Sequence, residues 1–469
     1  MSLLSLNFDV LEAILSFVES RDALPLMTTC RALHVPAMRR HLFEITLRCD
    51  RLRESKKTMK FCKFILGDPQ ARARHLRALT LLLNHQRLLA SPVSDHLAEV
   101  IRHATGLRRI VLDGAGDNFF DSAPALTDAL ADVESLKTIR LTFVGPRGIA
   151  LLSRMKSQPR TVQCRVNIAY ARQPWQGPTQ FLHNFVRSLT VLELHDALDL
   201  LTVETESHVV WPRVQELALM DENVKREHWQ FICRAFPNLR TLRMDGTLID
   251  TAGAYAEWSE MDLVQTSNPL PLRCRVRCVE LNISLDKQFL SPHNVADYLE
   301  MLGNCLPIAL ICHLNRCILD YLPVLLHRLR FLHLETYDLE PPAPRLLSSV
   351  TRWVDATLLS LASTLARSRV RAVIVELPHN CTTKRAELRS HAENIATHAR
   401  CMELIGLHRH GYKGSTLRQV GDLRDWRFSL CNWYHVTSRT TDGTPQLSRV
   451  SEVDVPRLVP LVQSCKTLE

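Results

Sequence analysis

The residue types best suited to binding a metal sit near residue 300: Cys305, Cys312, His313 and Cys317, with Cys274 and Cys278 just upstream. Thiolates and an imidazole in one neighbourhood would suit zinc. Structural zinc sites draw their cysteines in closely spaced pairs, and this chain contains no CxxC. Spacings of seven and five inside leucine-rich sequence fit small buried thiols better. His408, His410, Cys431 and His435 are scattered in the same way. Neither a GxSxG turn nor a protease-type cysteine signature is present. Glycine is scarce, 15 in 469 residues, and no GxxxxGKS/T or GxGxxG loop can cradle a phosphate. The expectation is a binding protein without catalysis, metal or cofactor.

A more ordered pattern lies in polar residues set between apolar ones. From His75 onward an L-x-x-L-x-L unit recurs, for example at Leu107/Ile110/Leu112, Leu189/Leu192/Leu194 and Leu329/Leu332/Leu334. From 76 to 239 the units start 31, 29, 25, 28, 25 and 25 residues apart. Helical patterns fall between them, as in Ser94–Ala104 and His228–Phe236. A strand, a helix and a return can bury the apolar face of each unit only against its neighbours, which predicts an α/β solenoid. About 11 or 12 parallel strands are expected over residues 75–410.

Polar residues at the third and fifth positions of each unit then share the open face of the sheet. They are Arg109, Arg140, Arg165, Glu193, Glu216, Arg243, Glu280, His313, Phe331 and His333. Apart from Glu280 and His313, these are the candidate substrate contacts. Arg109, Arg140 and Arg165 are read as equivalent positions on successive strands. Three guanidinium forks in a row suit an acidic or phosphorylated peptide.

The repeats resemble leucine-rich repeats, which run roughly 20–29 residues. The asparagine or cysteine that this family sets three residues after the last strand leucine occurs only at Asn84; elsewhere Ala115, Val144, Ala197, Glu222, Thr247 and Ser284 take that place. The solenoid should therefore be irregular.

The first residues form a different unit. Val10, Leu11, Ile14, Leu15 and Val18 fall on one helical stripe, and Ser20 or Asp22 can cap a second helix with Pro25 in its first turn. Pro36 is placed to start a third helix, Pro36–Phe43. The run Leu6, Phe8, Val10, Leu11, Ile14, Leu15, Leu24, Leu26, Cys30 and Leu33 resembles an F-box motif, with Asn7 where the family usually has proline. That resemblance implies docking of these ten residues on a Skp-family adaptor and, through it, on a cullin. With the repeats, the chain resembles a fungal-type F-box protein with divergent leucine-rich repeats. The fold class implied is α/β, an N-terminal three-helix F-box followed by an irregular leucine-rich-repeat solenoid. The implied function is recruitment of an unknown protein substrate to an E3 ubiquitin ligase, in the cytoplasm, the nucleus or both. A non-ligase interaction scaffold is the alternative.

The net charge of +9 is local. From Arg39 to Arg77 twelve Lys/Arg face four Asp/Glu, so the rest of the chain is nearly neutral. This concentration reads as a solvated helix face and no nucleic-acid partner is expected. No apolar run nears the roughly 18 residues of a membrane span, and the first ten residues lack the basic start of a secretory signal. The divisions expected are 1–48 F-box, 49–74 basic helical linker, 75–410 solenoid and 411–469 C-terminal cap, the last from Trp426, Phe428, Leu430, Trp433, Tyr434 and Val436.

Overall fold

The computed structural model describes residues 7–49, 52–83, 91–167, 169, 182–202, 209–249, 255–256, 258–282, 292–313, 322, 328–335, 347–366, 368–377, 385–409 and 432–450. Leu6, Asn84, Ser284, Cys317, His410, Trp426, Phe428, Leu430 and Cys431 lie outside them. The chain is mixed α/β on a large, mostly parallel sheet that is not a closed barrel. It divides into two units, Met1–Leu239 and Arg240–Glu469, a boundary that falls inside the expected 75–410 segment.

The first unit opens with α1 (Phe8–Ser16), α2 (Ser20–Leu26) and α3 (Arg31–Phe43). Asn7 caps α1: the Val10 N–H donates to its Oδ1 at 2.9 Å. Such a cap is worth about 1 kcal/mol, so asparagine does here what a preset proline turn would otherwise do. Leu11, Leu15, Leu33 and Ala37 form a small core, with Val18, Leu26, Met27 and Cys30 packed against it. Ser20 Oγ reaches the carbonyls of His41 (2.7 Å) and Glu44 (2.9 Å), tying α2 to the end of α3. Two expectations are corrected. The third helix begins at Arg31, so Pro36 lies inside it, and Pro25 lies in the last turn of α2. Pro36 is buried within α3, where packing outweighs the lost backbone hydrogen bond.

Helix α4 (Leu52–Leu66) carries the basic segment. Thr58, Cys62 and Ile65 are buried, while Lys56, Lys57, Lys60 and Lys63 face solvent. Asp68 caps the short α5 (Pro69–Arg72) through the Ala71 N–H at 3.1 Å. Burial, then Arg39, Arg74 and Arg77, push the pKa of His75 below its ordinary value.

Seven parallel strands follow in chain order: β1 (Glu44–Arg48), β2 (Ala78–Leu82), β3 (Arg109–Asp113), β4 (Thr138–Val144), β5 (Thr161–Val166), β6 (Val191–His195) and β7 (Glu216–Lys225). Strand β1 was not expected. Backbone register aligns Ile45, Leu79, Ile110, Ile139, Val162, Leu192 and Leu217 in one row, and Leu47, Leu81, Leu112, Leu141, Cys164, Leu194 and Leu219 in another. All are buried, each large side chain contributing roughly 1.5–3 kcal/mol. Helix α6 (Ser91–His103) adds Leu97, Val100 and Ile101 to this core, and α7 (Pro124–Asp132) packs against α6.

One hydrogen-bond pattern repeats at the strand starts. The carbonyl of Arg77 accepts from Arg108 and Arg109, that of Arg108 from Lys137 and Thr138, that of Lys137 from Arg160 and Thr161, and that of Arg160 from Thr190 and Val191. At the strand ends no asparagine ladder is needed. The Ala115 N–H donates to Thr142 O (3.1 Å), and the Gly114 N–H to Thr142 Oγ1 (3.0 Å). Asn167 N–H donates to Val144 O at 2.9 Å.

The second unit holds β8 (Thr241–Ile249), β9 (Glu260–Thr266), β10 (Arg275–Leu281), β11 (Ala309–His313), β12 (Phe331–Glu335), β13 (Ala372–Leu377) and β14 (Leu404–Arg409), again parallel. The antiparallel β15 (Asn432–Arg439) and β16 (Pro445–Arg449) add to β14. Strand β9 was not anticipated, and the described residues hold 13 strands, β2 to β14, where 11 or 12 were expected. Trp433 and Tyr434 of the expected cap are buried.

Ten cysteines are described; seven are buried, Cys30 and Cys233 are half-buried, and Cys401 is exposed. Burial pushes the Cys274 thiol up to about 11, and the Cys62 and Cys305 thiols up to about 12.

Gly406 of β14 pairs with Trp433, and a Cβ there would come within 2.9 Å of the indole ring. The ring is buried and has no room to retreat. Gly406→Ala should cost about 1–3 kcal/mol, as overpacking does. Chemical denaturation checks this; an unchanged midpoint contradicts it.

Candidate functional site

The helical N-terminus separates its apolar residues into two faces. Leu11, Leu15 and Leu33 point into the small core, and Leu26 and Cys30 pack against it. Phe8, Val10 and Ile14 are each 41% exposed, Leu24 is 50% exposed and Phe17 is 90% exposed. The single stripe expected from the spacing is thus two stripes: positions 11 and 15 face inward, 10 and 14 outward. Of the twelve exposed large hydrophobic residues described, eight fall between Phe8 and Phe64. Isolated apolar side chains on a surface need no explanation; eight within one stretch is a concentration that the rest of the described residues do not show. Arg39 of α3 lies 5.1 Å from the Phe8 ring centroid and 3.2 Å from Glu12. Phe17 is the site residue missing from the ten expected ones. Its signal was its place in the motif run, between Ile14 and Val18.

The open face of strands β1–β7 carries the polar candidates. Arg109 aligns with Thr138 and Thr161, Arg140 with Val111 and Gln163, and Arg165 with Thr142. The three arginines therefore do not occupy equivalent positions, which corrects the expectation. They share a face, because successive offsets are two residues, and they run diagonally across it. A strand spacing of ~4.8 Å and a two-residue rise of ~6.7 Å give about 8 Å per step. Arg109 ion-pairs with Glu44. Arg165 lies 3.8 Å from Asp221 and over the Phe143 ring at 5.3 Å. Among the described residues Arg140 is exposed and makes no ion pair. Glu193 accepts from Gln163 Nε2 (2.9 Å) and lies 2.8 Å from His195 Nε2, while Glu216 is exposed. The face offers mixed, solvated charge suited to holding an extended polar chain.

The same face of the second unit is different. Arg243 is half-buried, and its neighbour Gln265 donates to Glu280 at 3.2 Å. From β10 onward the face becomes apolar: Cys278, Ala309, Ile311, Phe331, Ala372, Ile374 and Leu404 cluster with Trp433. Phe331 and His333 are each 2% exposed, and Glu280 and His313 are buried too. The register is as expected but the exposure is not, so Phe331 and His333 are removed from the substrate-contact set. Their neighbours in the sheet are apolar, and Trp433 packs onto the cluster they belong to.

His333 Nε2 lies 3.0 Å from Glu376 Oε1, and Glu335 converges on the same point. Sequence reasoning missed Glu335 and Glu376. Aligning Ala309–His313, Phe331–Glu335 and Ala372–Glu376, each four residues capped by an ionisable one, would have put them in a column. Cys274 and Cys305 are simply buried thiols, as expected from their spacing.

No helix of the described residues is long and apolar enough to cross a membrane. No protein-family model matches the chain, and no curated protein matches it in sequence.

Proposed function

We propose that the chain is the substrate receptor of a Skp–cullin–F-box ubiquitin ligase. The N-terminal helices dock an adaptor, and the repeats, arranged as a leucine-rich-repeat-like solenoid, hold a protein target. The reading rests on the exposed residues Phe8, Val10, Ile14, Phe17 and Leu24, carried on α1, its C-cap and α2 of a three-helix unit that has its own core. Fewer than 45 residues bury little on their own, and a partner covering these side chains would complete the burial. Catalysis belongs to the ligase's other subunits; this chain raises the target's effective concentration near them.

The division of faces dictates the test. Leu15→Asp would strike the core and report on folding. Ile14→Asp with Leu24→Asp strikes only the surface, where substitutions usually shift stability by within about 0.5 kcal/mol. The double variant should keep the wild-type circular dichroism and lose co-purification with a Skp-family adaptor, since central interface residues are worth about 2 kcal/mol or more each. Undiminished co-purification by the folded variant would favour the non-ligase scaffold.

On the target side, the diagonal Arg109, Arg140 and Arg165 fits an extended acidic or phosphorylated segment crossing β3 to β5. Arg109 and Arg165 already face Glu44 and Asp221. Arg140→Ala should therefore cost most among the single changes. Exposed pairs contribute about 0–1 kcal/mol each, so the triple Arg→Ala change should lose about 1–3 kcal/mol of affinity for an acidic peptide, and less at high salt. Fluorescence anisotropy with phosphopeptides measures it; binding indifferent to all three arginines would remove this face from consideration.

A further inference from the structure

Three strands of the second unit bring ionisable side chains to one place on the sheet. His313 closes β11 and Glu335 closes β12, aligned with each other in register. Glu376 follows the Leu334–Val375 pair on β13, and His408 of β14 holds the register position beside it. His333 lies two residues before Glu335 on the same face. Ligand atoms of His333, Glu335 and Glu376 all fall within 4.8 Å of one another, and the three residues are buried.

We propose that His333, Glu335 and Glu376 bind a divalent transition-metal ion of the zinc type. A buried ion pair needs two groups, and His333 with Glu376 would suffice. A third buried ligand atom converging on that pair gives the three-donor set that a dication takes. One imidazole with two carboxylates suits zinc, which takes both nitrogen and oxygen, better than magnesium or calcium, which prefer oxygen alone. Tetrahedral ligation at 2.0–2.2 Å sets neighbouring ligand atoms about 3.4 Å apart. Glutamate side chains can close the remaining gap by rotation about their own bonds. The ligands stand on adjacent strands, which hold them more rigidly than loops would. Metal ligands bind in their deprotonated forms, so uptake of the ion should release protons and weaken at low pH.

The full chain, freed of metal by chelation and dialysis, is titrated with Zn²⁺, and with Co²⁺ as a spectroscopic probe. One equivalent should bind, with proton release, a higher melting temperature and a tetrahedral Co²⁺ spectrum lacking thiolate charge transfer; excess Mg²⁺ should not compete. Glu376→Gln and His333→Gln should each weaken Zn²⁺ binding by on the order of 100-fold or more. Because both changes also break a buried pair, Glu335→Gln serves as the second variant; it leaves that pair in place and should lose affinity to a similar degree. The proposal is overturned if the wild-type chain takes up no Zn²⁺, if folded Glu335→Gln binds as tightly as wild type, or if Co²⁺ shows a thiolate band that assigns the metal to cysteines.

Discussion

Every repeat strand of the first unit must present two large apolar side chains, two residues apart, in register with those of its neighbours. The rows Ile45 to Leu217 and Leu47 to Leu219 meet this condition over seven strands. A slip of one residue on any strand would turn its buried pair to solvent and bring charges such as Arg109 or Glu193 inside. The helices, the turn hydrogen bonds and the placement of the polar face all follow from this register. The shared carbonyls at the strand starts enforce it, since each new strand begins by donating twice to the one before.

That constraint is what made much of the fold legible. Leucine spacing marks β2–β4 and β6–β8 because each keeps its apolar pair at fixed offsets; β5, with Val162 and Cys164 in those places, reads only as a weaker strand. Strand β9 escaped because Glu260-Met-Asp-Leu-Val-Gln-Thr266 mixes polar residues with its buried Met261 and Val264, and no leucine opens it. Alignment of residues across strands was less legible. Arg109 is the third residue of its unit and Arg140 the fifth, so reading Arg109, Arg140 and Arg165 as equivalent overlooked a two-residue offset, which the backbone turns into a diagonal. Burial was least legible of all. Phe331 and His333 sit where a polar face is expected, but Ala309, Ile311 and Ile374 make that stretch apolar on both sides, and a distant tryptophan, Trp433, packs onto it. Nothing in a single repeat announces such a contact.

The N-terminal helices follow the same logic on a smaller scale. A helix of two and a half turns cannot bury both Leu11/Leu15 and Val10/Ile14 against one neighbour, and α3 takes the first pair. The second pair, with Phe8, Phe17 and Leu24, is left outward. Asn7, which departs from the resembled motif, closes the helix start with its own side chain. The physical requirement of that position, a satisfied first turn, is met by different chemistry. In the second unit the open face has been given over to packing and to the convergence of His333, Glu335 and Glu376. Exposed polar side chains therefore lie on the open face of β1–β7, and exposed apolar ones on α1 and α2.

Isothermal titration calorimetry of the full chain with a purified Skp-family adaptor, at several temperatures, tests the central claim most directly. Covering an apolar patch in a standard interface of roughly 1,600 Å² should give one adaptor per chain and a negative heat-capacity change. Absence of binding at every temperature, by a chain whose circular dichroism shows it folded, would contradict the account.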